Sequence, residues 1–291
     1  MSYLFKILLL FFAAITLYSQ NIQLKFLSSF GEFKDASGMT KDQYNNFYIA
    51  DIGANRLFKY SDKQVLVAGA GGYGWNNNSF DAPQDIASSF DLYLYVCDFN
   101  NNRLQHLDKD FNYISSIKNL EGSTKKEEFG YPKSIALTSD GEIFFLDSEN
   151  KRIVKLDAFR NFIRDFGGIG YGEGELTEPS KIRCDNRNNL FVIDGKKLFK
   201  FDPFGNFLSV IELDVMISGI SFYKNLYVLL SMESIRFIDP NTMNETAYLF
   251  KDILPENGTI SSGFSPKDIL VFENTLYLLS KNVLLEFQIN N

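Results

Sequence analysis

Four times along the chain a short apolar run ends in aspartate at nearly the same interval. The runs are FYIAD ending at Asp51, LYVCD at Asp98, FFLD at Asp147 and FVID at Asp194, at steps of 47, 49 and 47 residues. Such a period constrains the fold more than any single motif, because each unit is one supersecondary element that buries its apolar face only against the next copy. Fifteen residues before each aspartate stand Ala36, Pro83, Pro132 and Pro179. Ten residues after the first three stand Ser61, Asp108 and Asp157, with Leu57, Leu104 and Ile153 four residues earlier. The fourth unit, DGKKLFKFD from Asp194 to Asp202, is two residues shorter; a fifth ends MESIRFID at Asp239, and a sixth, NTLYLLSKNVLLEFQ, follows Pro266.

Each unit offers four short segments rich in aromatic and β-branched residues, for example the run after Pro83, LYVCD, RLQHLD and NYISSI. Residues of that kind suit a pleated, half-buried surface. The connections SDGE, DNRNN and PFGN supply the Asn, Asp and Gly that tight hairpins require. The expectation is therefore an all-β, six-bladed β-propeller of four-stranded antiparallel blades, each unit spanning about 45 residues. The last unit stops at EFQINN, without a fourth strand, whereas IQLKFLSSFG near the start matches the fourth-strand text NFIRDFG. The N-terminal strand is expected to complete the last blade and so close the ring, hiding two edges that would otherwise template aggregation.

The stretches LYVCDFNNNRLQHLD and YPKSIALTSDGEIFFLDSENKRIVKLDAFRNFIRDFG resemble the NHL-repeat family, whose six-bladed propellers repeat a proline, an apolar residue, D-G, V-x-D, N-R-I, an aspartate and a glycine. The resemblance runs from about Ala36 to Ile211 and fades in the last two units, where Asp and Arg are lost around Leu230 and Ser280. It implies a propeller whose relatives include extracytoplasmic bacterial proteins, modules that bind RNA or protein, metal-dependent lactonases and a zinc lyase. A match of this type specifies fold rather than chemistry.

The first twenty residues, MSYLFKILLLFFAAITLYSQ, read as a secretory signal peptide cleaved after Ser19 or Gln20, which leaves residues 21–291 as one propeller domain. The apolar stretch from Ile7 to Leu17 is short of the roughly 20 residues a bilayer span needs, so no stable membrane span is expected after cleavage. Export to the periplasm or the medium, as a monomer, follows. Losing Lys6 and no acid moves the net charge from −7 to −8, which disfavours nucleic acid as a partner.

The recurring pairs Asp51 with Arg56, Asp98 with Arg103 and Asp147 with Arg152 flank the turn between second and third strands and read as structural staples, since repeated positions serve the repeat. His106, the sole histidine, takes a third-strand position filled elsewhere by Lys59 and Lys155 and faces outward or between blades. One histidine leaves too few ligands for a zinc site of the usual kind, and neither catalytic nor metal-ligating residues are assigned. Cys97 and Cys184 fall in non-neighbouring blades, so two free thiols are expected.

Ligand-binding candidates are sought where the units differ. The glycine-rich stretches GAGGYGWNNNSFDAP and GGIGYGEGELTEP lack the Lys-Ser ending of a phosphate-binding loop and precede no helix. They join one blade to the next over one face, where Tyr73, Trp75 and Tyr171 offer an aromatic surface to a protein, peptide or carbohydrate. Two residues beyond the repeat prolines stand Asp85, Ser134, Lys181 and Asp268, candidates to line the channel. The reading favoured is a binding or scaffold module with no cofactor. The alternative is a lactonase-like hydrolase or lyase holding one divalent cation such as calcium in the channel, to which Asp85 and Asp268 contribute only part of a hard-oxygen ligand set.

Overall fold

The computed structural model describes residues 22–89, 92–118, 128–255 and 264–290. The leader expected at residues 1–20 lies outside the described residues, and no helix among those described is long and apolar enough to cross a membrane.

Six four-stranded antiparallel sheets follow one another around a ring. Blade 1 consists of Ala36–Lys41, Phe47–Asp51, Arg56–Tyr60 and Leu66–Gly71, and blade 2 of Pro83–Ser88, Tyr93–Asp98, Arg103–Asp108 and Tyr113–Ile117. Blades 3, 4 and 5 begin with inner strands at Pro132–Leu137, Pro179–Cys184 and Ile217–Tyr223. Blade 6 starts at Pro266–Phe272 and has only three strands of its own at the C-terminal end. Gln23–Phe30 adds the fourth, in register from Gln23 opposite Asn290 to Phe30 opposite Leu284, so the expected closure is present.

The spacing of fifteen residues is the register of the first hairpin. Ala36 faces Asp51, Pro83 faces Asp98, Pro132 faces Asp147 and Pro179 faces Asp194. Proline has no N–H to give a ladder, which confines it to strand starts and bulges, and a register shift follows it immediately in every blade that carries it. In blades 5 and 6 the pairing is Ile217 with Ser231 and Pro266 with Ser280, with the same shift after it. The repeat continues in geometry after its residues have changed.

Second strands such as FYIAD and FFLD are buried along their whole length, while fourth strands such as YISSI are half-buried or exposed until their last residue. Inner strands are sandwiched by neighbouring blades on both faces; outer strands meet solvent. Tyr48, Ala50 and Leu57 of blade 1, for instance, pack against Ile86, Leu94 and Val96 of blade 2. On the far face the hairpins are tied by a device not read from the sequence, an aspartate followed four residues later by asparagine. Asp108 Oδ1 accepts from the backbone of Asp110 and Asn112 at 2.9 and 2.8 Å, and its Oδ2 accepts from Asn112 Nδ2 at 2.8 Å. Asp42, Asp157, Asp185 and Asp202 repeat it with Asn46, Asn161, Asn189 and Asn206.

Candidate functional site

Antiparallel strand order puts two kinds of connection on one face: those that join successive blades and those that join second to third strands. The repeat aspartates sit beneath them. Each accepts hydrogen bonds from the connection that enters its own blade: Asp51 from Lys34 and Asp35 N–H at 2.7 and 2.9 Å, Asp98 from Asp81 at 2.8 Å, Asp147 from Gly130 at 3.2 Å, and Asp194 from Thr177 and Glu178, both at 2.7 Å. Buried backbone donors must find acceptors, and a carboxylate supplies several in one place.

The arginine half of the staple varies. Arg103 Nε binds Asp98 at 2.7 Å and Arg152 Nε binds Asp147 at 2.9 Å. Arg56 departs from the expected pairing. Asp51 spends its oxygens on the N–H groups of Lys34, Asp35 and Ala54, while Arg56 is exposed with its guanidinium 5.9 Å from the Phe58 ring.

Arg103 does more than close a turn. With only 2% of its surface exposed, it donates from Nη1 to Trp75 O at 3.0 Å and from Nη2 to Asn76 O and Ser79 O, each at 2.9 Å. Gln105 adds Nε2 to Ser79 O at 2.6 Å, Asn101 holds Gly74 O at 2.9 Å, and Phe80 is wholly buried in the core between blades 1 and 2. The loop backbone is thus pinned from below while its rings project, Tyr73 at 70% and Trp75 at 72% exposure. The second glycine-rich loop is built similarly. Leu176 anchors it in the core between blades 3 and 4, Tyr171 donates its hydroxyl to Asp165 O at 2.7 Å, and Ile169 stands 86% exposed.

The four channel candidates also meet. Arg183 of blade 4 reaches Asp85 of blade 2 and Asp268 of blade 6, at 2.7 and 2.6 Å, and Lys181 reaches Asp268 at 3.0 Å. Only the axis lets blades so far apart touch. Ser134 Oγ donates to Asp85 at 2.5 Å, and the main chain completes the network: Ile135 N–H to Asp85, Met39 N–H to Asp268 and Ile182 N–H to Ser134 Oγ. Asp85, Ser134 and Asp268 therefore each cap a donor on the free edge of the next blade's inner strand, while Lys181 donates across the axis to Ser37 O and Lys267 O at 3.4 and 3.5 Å. Two acids and two bases balance. Burial alone would raise the Asp85 carboxyl, but Arg183 and then Lys181 hold it below its usual range; burial opposes the Arg183 charge, and Asp268 and Asp85 outweigh it.

Arg183 is the residue that sequence reasoning missed. It lies four residues beyond Pro179, where the other units carry Thr40, Ala87, Ala136, Ser221 and Leu270, and that departure from the pattern was the available signal. The two remaining axial positions are Gly38 and Gly219, and a Cβ on Gly38 would collide with the Asp85 carboxylate and lie 2.9 Å from Asp85 Cα. The channel is closed here by paired charges. Its two carboxylates, saturated by cations and N–H groups, do not fit a divalent metal, and no group of three or more His, Cys, Asp or Glu among the described residues is placed to hold one.

His106 lies between blades, stacked on Tyr95 at 4.5 Å with Nδ1 3.2 Å from Ser115 Oγ. Burial, with Arg160 nearby, lowers its pKa to about 4. Cys97 and Cys184 are both free, and burial pushes both thiols up, Cys184 to about 12.

Comparison with known proteins agrees with this architecture. A family model described as a 6-bladed β-propeller matches residues 85–270. NHL repeat-containing protein 3 of Homo sapiens is 29% identical over 209 residues, 70% of this chain and 49% of that protein. The probable peptidyl-α-hydroxyglycine α-amidating lyase pgal-1 of Caenorhabditis elegans is 26% identical over 185 residues, 60% of this chain and 50% of that one. The chain spans about half the length of these two relatives. Among solved structures, virginiamycin B lyase from Staphylococcus aureus superposes with a TM-score of 0.64 at 12% identity, covering 92% of this chain and 99% of that one, a likeness of fold.

Proposed function

The chain belongs to the six-bladed β-propeller family, and from that premise we propose that it is an exported binding or scaffold module that engages a protein, peptide or carbohydrate through the loop face over blades 2–4. The observation that carries this reading is the combination of Tyr73 and Trp75 at 70% and 72% exposure with a loop backbone held by the buried Arg103. An exposed ring on a fixed backbone offers contact area at little entropic cost, which is what a recognition surface needs. The N-terminal apolar segment supports export, and the net charge of −7 supports partners other than nucleic acid.

A lyase reading draws on the matched C. elegans protein, which is named as a probable lyase. The axis argues against chemistry there, because Asp85 and Asp268 are committed to Arg183 and Lys181. Affinity capture from extracytoplasmic extract with the full chain and with Trp75→Ala tests the binding reading. Partners that disappear with Trp75→Ala, at an unchanged thermal midpoint, support it; an unchanged set of partners overturns it.

A further inference from the structure

We infer that the ligand of this face is a neutral carbohydrate, a pyranose oligosaccharide that stacks on Trp75 and Tyr73 while asparagine amides take its hydroxyls; this rests on the loop-face reading above. The rings stand on the connection between blades 1 and 2, where Gly72, Tyr73, Gly74 and Trp75 alternate glycine with an aromatic residue. Tyr73 forms a bridge with the buried Phe80. Phe80 N–H donates to Gly72 O at 2.9 Å and Gly74 N–H to Phe80 O at 3.1 Å, so the segment is laced to the core. Gly72 and Gly74 have φ of 142° and 151°, a conformation that other residues rarely adopt. A Cβ on Gly72 would meet nothing within 4 Å, which leaves the flank of the rings open.

What surrounds the rings is amide. Residues 72–79 and 99–102 contain six asparagines and no Asp, Glu, Lys or Arg. Some of these amides serve the fold: Asn101 Nδ2 donates to Gly74 O at 2.9 Å, Asn102 Oδ1 accepts from Tyr131 N–H at 2.8 Å, and Asn100 Nδ2 donates to Asp81 at 2.8 Å. Asn76 and Asn77, next to Trp75, are exposed. Asn76 gives the fold only its main-chain carbonyl, to Arg103 Nη2 and Ser79 N–H, and the two side-chain amides bond to nothing among the described residues. The charged groups of the same face, Lys118, Glu149 and Lys151 among them, stand on other connections and are of both signs.

The second glycine-rich loop has the same Gly-Tyr-Gly order at residues 170–172 but uses it internally. Tyr171 donates its hydroxyl to Asp165 O, Gly170 N–H donates to Glu175 at 2.8 Å, and Glu173 and Glu175 follow where the first loop has asparagines. Tyr171 is 43% exposed against 70% for Tyr73.

A pyranose presents a face of C–H groups and a rim of hydroxyls. The face fits indole and phenol, and a carboxamide sets a donor beside an acceptor, as adjacent hydroxyls require. A peptide anchor needs an apolar socket to fill, and an ionic ligand needs a counter-charge. Glycine, asparagine and serine supply neither.

The chain has a single tryptophan, Trp75, so its emission reports from this surface alone. The full chain is titrated with cellohexaose, maltohexaose and mannohexaose, and with an alternating serine–leucine decapeptide. At least one sugar is expected to shift Trp75 emission with half-saturation at about 1 mM or below, and its affinity should change less than about twofold between about 50 and 300 mM salt. Asn76→Ala combined with Asn77→Ala should weaken that sugar about fivefold or more at an unchanged thermal midpoint. Silence toward all three sugars up to about 10 mM overturns the carbohydrate assignment and leaves the loop-face reading standing. An equal or stronger response to the peptide, a steep salt dependence, or full affinity in the double variant does the same. Partner capture that is indifferent to Trp75→Ala defeats the loop-face reading itself.

Discussion

The turn that joins second to third strands is built twice over in this ring, once in blades 2 and 3 and differently in blades 5 and 6. In blade 2, Asp98 and Arg103 bracket a four-residue turn, and the pair reaches up to hold the incoming loop. In blade 6, Ser280 stands opposite Pro266, where Asp98 stands opposite Pro83. Its Oγ takes the N–H groups of Asn282 and Val283 at 3.4 and 3.2 Å and donates to Val283 O at 3.0 Å. Ser231 and Ser234 do the same in blade 5. A hydroxyl suffices where the turn is tight. In blades 2 and 3 a carboxylate with an arginine holds the turn and the incoming backbone together, so a fading motif marks a different construction of the turn rather than a loss of blade structure.

The comparison predicts a graded set of stability losses. Asp98→Ala should be the most damaging, because it leaves Arg103, 2% exposed, without its counter-charge and the N–H of Asp81 without its acceptor. A cost of about 3–5 kcal/mol is expected from equilibrium urea unfolding. A value near that of the serine turns would mean the two designs carry equal load, and the contrast would fail. Gly38→Ala tests the axis instead of the turns. The new methyl meets Asp85, whose position is fixed by Ser134, Ile135 and Arg183, so overpacking should cost about 1–3 kcal/mol. Full stability in that variant would show that the axial network yields more readily than its hydrogen bonds imply. Ser280→Ala removes one hydroxyl from a two-residue turn and should cost about 1 kcal/mol.

Much of this was legible from the residues alone. The fifteen-residue interval is the hairpin register, and the unmatched strand at each end of the chain announced the closure, because both follow from backbone pairing that the repeat spells out. The four axial candidates were legible for the same reason, being fixed by position relative to proline. What they do there was not. Arg183 is a single departure from pattern, and whether two acids face a metal, a ligand or each other's counter-ions depends on which side chains from non-adjacent blades converge. Arg56 was misread for a local cause: identical spacing does not deliver a pair when the acid is already filled by N–H groups from its own connection.

His106 gives a further comparison between blades, since blades 1 and 3 place Lys59 and Lys155 at its position, each paired with an acid, Asp110 and Glu142. The histidine has aromatic rings around it instead. Its folded pKa of about 4 lies below the ordinary value of 6.5, so the unfolded chain takes the proton first. Its contribution is complete above about pH 6.5 and is lost progressively as the pH falls toward 4. His106→Phe should therefore change stability little at pH 7 and flatten the slope of unfolding free energy across that window. An unchanged slope would place the acid sensitivity elsewhere.

The smallest expected effect is the most pointed control. Arg56 matches Arg103 and Arg152 in sequence position but lies exposed, its guanidinium 5.9 Å from the Phe58 ring, while Asp51 opposite it is filled by N–H groups. Arg56→Ala should change stability by less than about 0.5 kcal/mol, the ordinary range for a surface substitution. Arg103→Ala, by contrast, uncouples Asp98 from the carbonyls of Trp75, Asn76 and Ser79 together. If the two substitutions cost the same, the arginine serves the turn and the loop is held by other means. If only Arg103→Ala destabilises the chain, and it also shifts Trp75 emission toward that of a mobile, hydrated indole, then the repeat has been recruited in blade 2 to stiffen the surface that does not repeat.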